Sequence, residues 1–368
     1  MCSGLGTVTK YSSITESKGK KQAGRALRYA LLSEARQVLR RAVKRDNPTC
    51  RWPSKVFRTA ACRWAALGDV RVLQDLQHHA AHYGNLFVCG SVWTCPVCSA
   101  KIQQRRREEV QQAVQKGWDS GMSVPMVTFT FPHVRFDSLE DLFKRQAVAF
   151  KYLRAGRAWI DFKKSVGLHG FIRSLEVTHG ANGWHPHTHE AFFVDQSSRL
   201  LLQSRLLTMW ISACDKAGLL GSDLEAFRRY SVVVTWDSDP DYYQKMDNWC
   251  VSHELTLTSH KLGKNGSITP FGFLQRQAPA DPFLFVEYAK ATKGKRQLLF
   301  SKGLKDWAGL YDIDDQTLAD ESLVPADLLG LLDAQQWRIV RGNDAQSELL
   351  DAAESGGWPA VQLLLRSL

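Results

Sequence analysis

The chain has 368 residues, 44% of them hydrophobic, and a net charge of +11. This length allows two or three domains with an ample core, and the hydrophobic fraction is ordinary for a globular protein. No apolar run reaches the ~18 residues of a membrane span, and the first residues show no signal-peptide pattern. The sequence therefore predicts a soluble, cytoplasmic protein with no membrane partner.

The charge is distributed unevenly along the chain. Residues 1–60 carry a net charge of +11, whereas residues 311–368 carry a net charge of −8. A basic N-terminal segment and a basic middle favour a polyanionic partner such as nucleic acid, because phosphate contacts release counterions. Charge alone is equally consistent with a solvated basic tail.

Residues 1–60 are predicted to form a basic arm that is partly disordered and partly helical. Residues 1–20 are polar and rich in Ser, Thr and Lys, which is typical of disorder. Residues 21–45 carry apolar side chains at helical intervals among Arg and Lys. This helix either contacts DNA or docks as an exposed helix on the body of the protein, and both interpretations stay open.

A cysteine-rich segment, residues 61–115, is predicted to bind zinc. The chain has eight cysteines and no signal peptide, so metal binding is favoured over a disulfide framework. Cys95 and Cys98 have the pair spacing of a zinc knuckle. Cys89 is the expected third ligand and Cys62 the expected fourth, which would make a closed, structural Zn²⁺ site. Histidines in the long gap between Cys62 and Cys89 are alternative ligands: His78, His79 and His82.

Residues 120–270 contain predicted elements in the order of a ferredoxin-like domain. Alternation of apolar residues predicts strands, and helical periodicity predicts helices. In chain order they are a strand at 127–131, a helix at 138–165, strands at 171–177 and 187–194, a helix at 199–218, a strand at 231–236 and a short helix at about 239–248. This split β-α-β order predicts an α+β fold, in which an antiparallel sheet has helices on one face and an open site on the other.

Residues 271–368 are predicted to form a helical C-terminal region. Its first part is rich in Pro, aromatic and basic residues, and its tail from residue 311 is acidic. The tail has helical patterns around residues 328–332 and 360–365.

The strongest chemical signal is a group of histidines that runs into the strand at 187–194. Side chains two residues apart in a strand share a face, so His187 and His189 can hold one divalent metal ion. Glu176, on the preceding strand, is the predicted third ligand across the hairpin. Two imidazoles and a carboxylate suit Mg²⁺ or Mn²⁺ and leave positions open for a substrate oxygen. His185 is a further candidate, either as a ligand or by orienting a ligand or contacting a phosphate.

The helix predicted at 239–248 carries two adjacent tyrosines, Tyr242 and Tyr243. A tyrosine beside a metal-bound phosphate can attack phosphorus, but its ordinary pKa of ~10 leaves only ~0.1% phenolate at pH 7. Lys245 lies three residues after Tyr242 on the same helical face, where its charge would favour the anion. The alternative is that one tyrosine packs in the core and the other lies on the surface.

Together, these residues resemble the rolling-circle replication initiators of plasmids, within the HUH endonuclease superfamily. The similar segments are residues 89–102, 127–133, 184–189, 242–245 and 287–294. The resemblance implies that a metal polarises a phosphodiester of single-stranded origin DNA and that Tyr242 attacks it. The tyrosine then stays joined to the 5′ phosphate, and the free 3′-OH primes synthesis by the host polymerase, while the host helicase separates the strands.

The resemblance leaves the tyrosine and the host element open. The Tyr-x-x-Lys register selects Tyr242, whereas some relatives place an acidic residue four before the tyrosine to activate water, which pairs Asp239 with Tyr243. A relaxase or a single-strand transposase would use the same site. A barrel metallohydrolase would need a repeating β-α pattern, which the sequence does not show. A non-catalytic zinc DNA-binding protein is a further alternative, which metal-dependent nicking would exclude.

Overall fold

The computed structural model describes residues 18–195, 199–237, 239, 266–320 and 325–368. The strands of this described part are β1 (Ala66–Asp75), β2 (Ala81–Leu86), β3 (Met122–Ser123), β4 (Met126–Phe129), β5 (Gly170–Gly180), β6 (Gly183–Asp195), β7 (Val232–Thr235), β8 (Leu298–Phe300) and β9 (Ala326–Leu332). Strands and helices occur throughout the described segments and the strand pairs are antiparallel, so the predicted α+β class is confirmed.

The helices flank these strands on the chain. They are α1 (Lys18–Asp46), α2 (Pro96–Asp119), α3 (Leu139–Leu153), α4 (Gly156–Val166), α5 (Arg199–Lys216), α6 (Leu224–Tyr230), α7 (Pro270–Arg276), α8 (Asp281–Ala291), α9 (Leu304–Ala308), α10 (Asp315–Ala319), α11 (Ala334–Gly342) and α12 (Gln346–Ser367). The single helix expected at 138–165 is two helices, because the chain leaves the helical conformation at Ala155 and Gly156 has a φ of +72°. None of the described helices has both the length and the apolar character needed to span a membrane.

The central sheet has the strand order β7-β4-β6-β5-β8, and β3 pairs with the end of β6. Its longest pairing is the hairpin of β5 and β6, which runs in continuous register from Gly170 opposite Phe193 to Gly180 opposite Gly183. Gly183 closes the turn with a φ of +81°, and a Cβ there would lie 2.8 Å from the carbonyl oxygen of Arg135. The tight turn fixes which side chains of the two strands face one another.

Different helices cover the two faces of this sheet. On one face, β4 and β6 pack against α3 and α5, with the rings of Phe129 and Trp210 5.1 Å apart. On the other face, Met126, Ile172 and Phe193 join an apolar cluster with α2 and α9. The prediction that helices pack on one face only is therefore wrong. The strands carry apolar residues on both faces at this end, and each apolar face must be buried.

A second, smaller sheet has the order β2-β1-β9. The helix expected around residues 328–332 is instead strand β9, where Gly330 pairs with Val72. Contacts with distant parts of the chain explain why this segment is a strand. It pairs with the free edge of β1, and the ring of Trp358 packs so closely on Gly330 that a Cβ there would lie 2.3 Å from it. The helix expected around residues 360–365 is present as part of α12.

The basic N-terminal helix packs against the acidic C-terminal segment. Leu32 and Leu39 of α1 are fully buried in the main apolar core. Arg25 forms ion pairs with Asp351, at 3.3 Å, and with Glu354 of α12. Helix α1 is thus docked on the body of the protein along an apolar stripe, and part of its charge is paired within the chain.

Candidate metal centres

The hairpin register brings Glu176 and two histidines together. Alternation along β6 places His187 and His189 on the same face, and the pairing with β5 sets Glu176 directly opposite His187. Oε2 of Glu176 lies 3.4 Å from Nε2 of His187 and 3.6 Å from Nε2 of His189. The three ligand atoms lie within 4.8 Å of one another, so this group can hold a metal ion.

Hydrogen bonds orient both imidazoles toward this point. Nδ1 of His187 donates to the carbonyl oxygen of His185 at 3.2 Å, which leaves the lone pair of the neutral ring on Nε2. Nδ1 of His189 lies 2.9 Å from the hydroxyl of Thr128 on β4, which can accept its proton in the same way. Metal-binding histidines usually use their second nitrogen in this manner. Thr128 was not identified from the sequence, because its approach depends on the pairing of β4 with β6.

The electrostatics of the group favour a bound cation. Burial alone would raise the pKa of Glu176, but the neighbouring imidazoles of His189 and His187 hold it well below its usual range. Burial likewise disfavours a charged His187, yet the Glu176 carboxylate raises the pKa of that imidazole. The carboxylate is therefore anionic and seeks a positive partner, which a divalent ion supplies more strongly than an imidazolium does.

His185 lies outside the three-residue group and pairs with a second histidine. Nδ1 of His133 donates to the carbonyl oxygen of Asn182 at 2.9 Å, and its Nε2 lies 2.9 Å from Nδ1 of His185. Burial, followed by the charge of His187, lowers the pKa of His185 to about 3, so this ring is neutral near pH 7. Nδ1 of His185 then donates to His133. His133 comes two residues after the first predicted strand, 127–131, and nothing local in the sequence indicated this contact.

A second candidate centre contains Cys62, Cys89, Cys95 and Cys98, all buried. Sγ of Cys98 lies 3.6 Å from those of Cys62 and Cys89, and Sγ of Cys95 lies 3.7 Å from that of Cys62. A tetrahedron with metal–sulfur bonds of about 2.3 Å has edges of about 3.8 Å. The four cysteines are unbridged and have the spacing of a tetrahedral thiolate site. They can hold a metal ion, whereas His82 of the gap is not part of the group.

Backbone donors and a buried cation suit this cluster to negative sulfurs. The amide of Cys89 donates to Sγ of Cys62 and the amide of Cys98 to Sγ of Cys95, both at 3.4 Å. Hydrogen bonds from the other three cysteines, and then the charge of the buried Arg63, lower the pKa of Cys98, whereas burial raises the pKa of Cys89 and Cys95. Burial of four thiolates without such partners would be costly. Cys95 also caps the N-terminus of α2, so the cysteine cluster and the start of this helix share a residue.

The predicted nucleophile region lies mostly outside the described residues. Tyr242, Tyr243 and Lys245 fall there, and their placement relative to the histidines stays a prediction. Asp239 is described, and its Oδ2 accepts from the amide of Trp236 at 2.8 Å. This contact holds the turn at the end of β7.

Part of this chain is similar to a known family of proteins. The model of a family described as "Replication protein" matches residues 85–218, an interval that contains three of the four cysteines and the whole Glu176/His187/His189 group. This match confirms the resemblance to replication proteins that the sequence motifs indicated.

Two relatives show how far the similarity extends. The chain is 26% identical to "Protein rep" of Streptomyces lividans, over 75% of this chain and 72% of that protein. It is 35% identical to a "Neomycin resistance protein" of Streptomyces cyanogenus, over 30% of this chain and 31% of that protein. No solved structure matches this chain significantly.

Proposed function

We propose that this chain is a plasmid replication initiator that nicks single-stranded origin DNA through a tyrosine, with the help of a divalent metal ion. The Glu176/His187/His189 group carries the proposal, because its three ligand atoms converge on a sheet face whose neighbouring side chains are apolar. The family match over residues 85–218 supports a role in replication and hence a DNA partner.

The order of elements supports a ferredoxin-like HUH domain. The chain runs through β4, the α3 and α4 pair, β5, β6, the α5 and α6 pair, and β7, and these strands lie side by side as β7-β4-β6-β5. This is a split β-α-β arrangement. It places the histidine strand at the centre of the sheet, where its backbone is held on both sides by β4 and β5.

In the proposed reaction, Glu176, His187 and His189 hold Mg²⁺ or Mn²⁺, which suits a ligand set that combines nitrogen and carboxylate oxygen. When bound, the ion withdraws electron density from the scissile phosphodiester. Thr128 and the His185 carbonyl keep the two imidazoles in their ligand orientation. His185, held by His133, lies beside this group and offers a lone pair on Nε2 to a water or a substrate proton.

Tyr242 is the proposed nucleophile. Its phenolate attacks phosphorus, which forms the Tyr–O–P bond and breaks the bond from phosphorus to the 3′ oxygen. The phenol loses one proton, and the departing 3′ oxygen gains one. Full ionisation of a tyrosine at pH 7 is worth roughly 4 kcal/mol, and Lys245 is proposed to contribute part of this. The free 3′-OH then primes synthesis by the host polymerase, with the host helicase separating the strands.

The four cysteines are proposed to hold Zn²⁺ in a structural role. The site has four protein ligands, so no position is left for substrate. Its effect on function is indirect, through the start of α2 and the loops that the cysteines join.

The test is incubation with a labelled single-stranded origin oligonucleotide and Mn²⁺, followed by mass spectrometry of the protein–DNA adduct. We expect the adduct on Tyr242, its loss in Tyr242→Phe, and its retention in the matched Tyr243→Phe variant. Adduct formation by Tyr242→Phe at the normal rate would instead assign the nucleophile to Tyr243. A double variant that still nicks, or a wild-type protein that binds DNA without nicking in Mn²⁺, would overturn the tyrosine mechanism.

A further inference from the structure

Positive charge is concentrated near Trp64, on helices α1 and α11. Arg40, Arg41 and Lys44 belong to the second half of α1, and Arg338 and Arg341 to the second half of α11. Arg41, Lys44 and Arg338 are exposed, and Arg40 and Arg341 are half-buried. None of these five side chains forms an ion pair with another residue that the structure describes. Together they form the basic surface.

The ring of Trp64 holds several of these guanidinium groups in place. The guanidinium carbons of Arg36, Arg40 and Arg341 lie 4.7, 5.1 and 5.1 Å from its centroid. Nε of Arg40 donates to the carbonyl oxygen of Ala60 at 2.9 Å, and Nη1 of Arg341 donates to that of Trp64 at 3.0 Å. A guanidinium has five N–H donors, so both side chains are positioned by the protein and keep donors for a further acceptor.

The charges that act on these two arginines are like charges. Burial, followed by the charge of Arg341, lowers the pKa of Arg40. Burial, followed by the charge of Arg338, lowers the pKa of Arg341. Arginine nevertheless stays protonated in proteins, so the repulsion persists until an anion joins these side chains.

The carboxylates at the two ends of α11 are engaged by other groups. Asp333, before the helix, accepts hydrogen bonds from two amides of its first turn, both at 2.8 Å. Asp344, after the helix, lies 3.5 Å from Nη2 of Arg36 and accepts from the hydroxyl of Ser33 at 2.9 Å. Helix α11 and residues 35–45 of α1 contain no acidic residue, so the charge that they present to a partner is positive.

We infer that the basic surface binds the sugar–phosphate backbone of duplex DNA, as a contact separate from the strand at the Glu176/His187/His189 group. Duplex DNA carries one negative charge per about 1.7 Å of its axis, which suits a set of unpaired cations on two helices. Proteins that hold single strands stack the bases on open aromatic rings, whereas the ring of Trp64 is occupied by guanidinium groups.

The basic surface lies outside residues 85–218, the part of the chain that matches the replication family. Phosphate contacts position a protein on DNA without reading its sequence, so the surface would hold the duplex in place for the nicking site. The inference rests on the proposed function only for the choice of DNA as the polyanion.

The test is fluorescence anisotropy of the full chain with a DNA duplex of about 20 base pairs, two helical turns, at a series of salt concentrations and without added divalent metal. Lys44→Gln with Arg338→Gln removes two exposed charges and is expected to reduce the slope of log K against log salt by about 1.8, at about 0.9 for each contact. Lys163→Gln with Lys164→Gln is the matched control on α4, where both lysines are exposed, and should leave the slope unchanged. Equal slopes for the two double variants, with unchanged melting temperatures, would contradict the inference.

An oligo(dT) strand of the same length separates duplex from single-strand binding. The variant that lacks Lys44 and Arg338 is expected to keep the salt slope of the wild-type protein on this probe. A reduction of about 1.4, the value for two contacts with a single strand, would assign the surface to single-stranded DNA and overturn the choice of duplex.

Acetylation of lysines by an N-hydroxysuccinimide ester gives an independent measurement on the unaltered chain. Saturating duplex is expected to remove most of the reactivity of Lys44 and to leave that of Lys163 unchanged, as read by mass spectrometry of the peptides. Full reactivity of Lys44 in the complex would place the duplex elsewhere. If the adduct on Tyr242 forms but these results fail, only the basic surface is wrong. If they hold but no adduct forms, the basic surface stands without the nickase.

Discussion

Thr128 on β4 and His189 on β6 are joined by a hydrogen bond of 2.9 Å between Oγ1 and Nδ1. The bond follows from the register of these strands, in which the two residues are directly paired. It fixes the His189 ring so that Nε2 faces the carboxylate of Glu176, 3.6 Å away. One hydroxyl thus determines which nitrogen of the imidazole is available to a metal ion.

Thr128→Val is expected to lower the affinity for Mn²⁺ by about 10- to 100-fold, the usual cost of removing a partner of a metal-binding histidine. Valine has nearly the same shape as threonine, and it is also favoured in β-strands. Titration of Mn²⁺ followed by electron paramagnetic resonance measures the affinity. Thr128→Ser retains the hydroxyl and should restore binding. Equal affinities of the Val and Ser variants would show that the hydroxyl has no orienting role.

His187→Ala is expected to abolish Mn²⁺ binding at this group and to slow nicking by at least about 100-fold, because two ligands cannot hold the ion in position. Isothermal titration calorimetry and a nicking assay on origin DNA measure the two effects. His169→Ala is the matched control, since His169 is half-exposed before β5 and pairs with Asp195. If both variants bind and nick alike, the histidine group is not the metal site.

Cys95→Ser is expected to remove one equivalent of zinc per chain and to lower the melting temperature markedly. Structural sites bind Zn²⁺ with a free energy on the order of 10 kcal/mol, and most of this free energy stabilises the folded state. Elemental analysis by mass spectrometry and thermal unfolding check this. Cys50→Ser lies outside the cluster and should keep the zinc. A wild-type protein purified without zinc, and stable to chelators, would contradict the proposal.

Arg154→Ala is expected to destabilise the fold by about 3 kcal/mol, because it removes the hydrogen-bonding partner of a buried carboxylate and leaves it only the charge of Arg173, directly opposite on β5. Glu190 on β6 is fully buried, and its carboxylate oxygens lie 2.5 and 2.6 Å from Nη2 of Arg154. Urea denaturation gives the free energy of unfolding. Arg157→Ala breaks an exposed pair with Asp161 and should cost less than about 1 kcal/mol. Similar decreases in the free energy of unfolding for the two variants would show that burial does not determine how much the Arg154–Glu190 pair stabilises the fold.

Several features could be predicted from the sequence because they depend only on residues that are close together in the chain. The alternation of His187 and His189 on one strand, and the spacing of Cys95 and Cys98, depend on neighbours two or three residues away. The strands 170–180 and 183–195 follow from a short turn between two apolar runs, and Glu176 then falls opposite His187 by counting along the hairpin. Local geometry is set by the backbone, so these relationships need no knowledge of the rest of the fold.

Other features required contacts between distant segments. The prediction of helix at 328–332 was wrong because a leucine-rich stretch can form either structure, and the free edge of β1 decided for a strand. The second layer of helices was missed because α2 was counted with the cysteines rather than with the sheet.

The sequence alone therefore determined the residue types of the candidate metal centres, the shared strand face of the two histidines and the resemblance to replication proteins. Only the tertiary structure decided that Cys62 completes the cysteine cluster with Cys89, 27 positions further along the chain, that Thr128 and His133 orient neighbouring histidines, and that α1 docks on α12. The reason is physical. Side-chain direction within an element follows from its period, whereas contacts between elements depend on which apolar faces find one another in the folded chain.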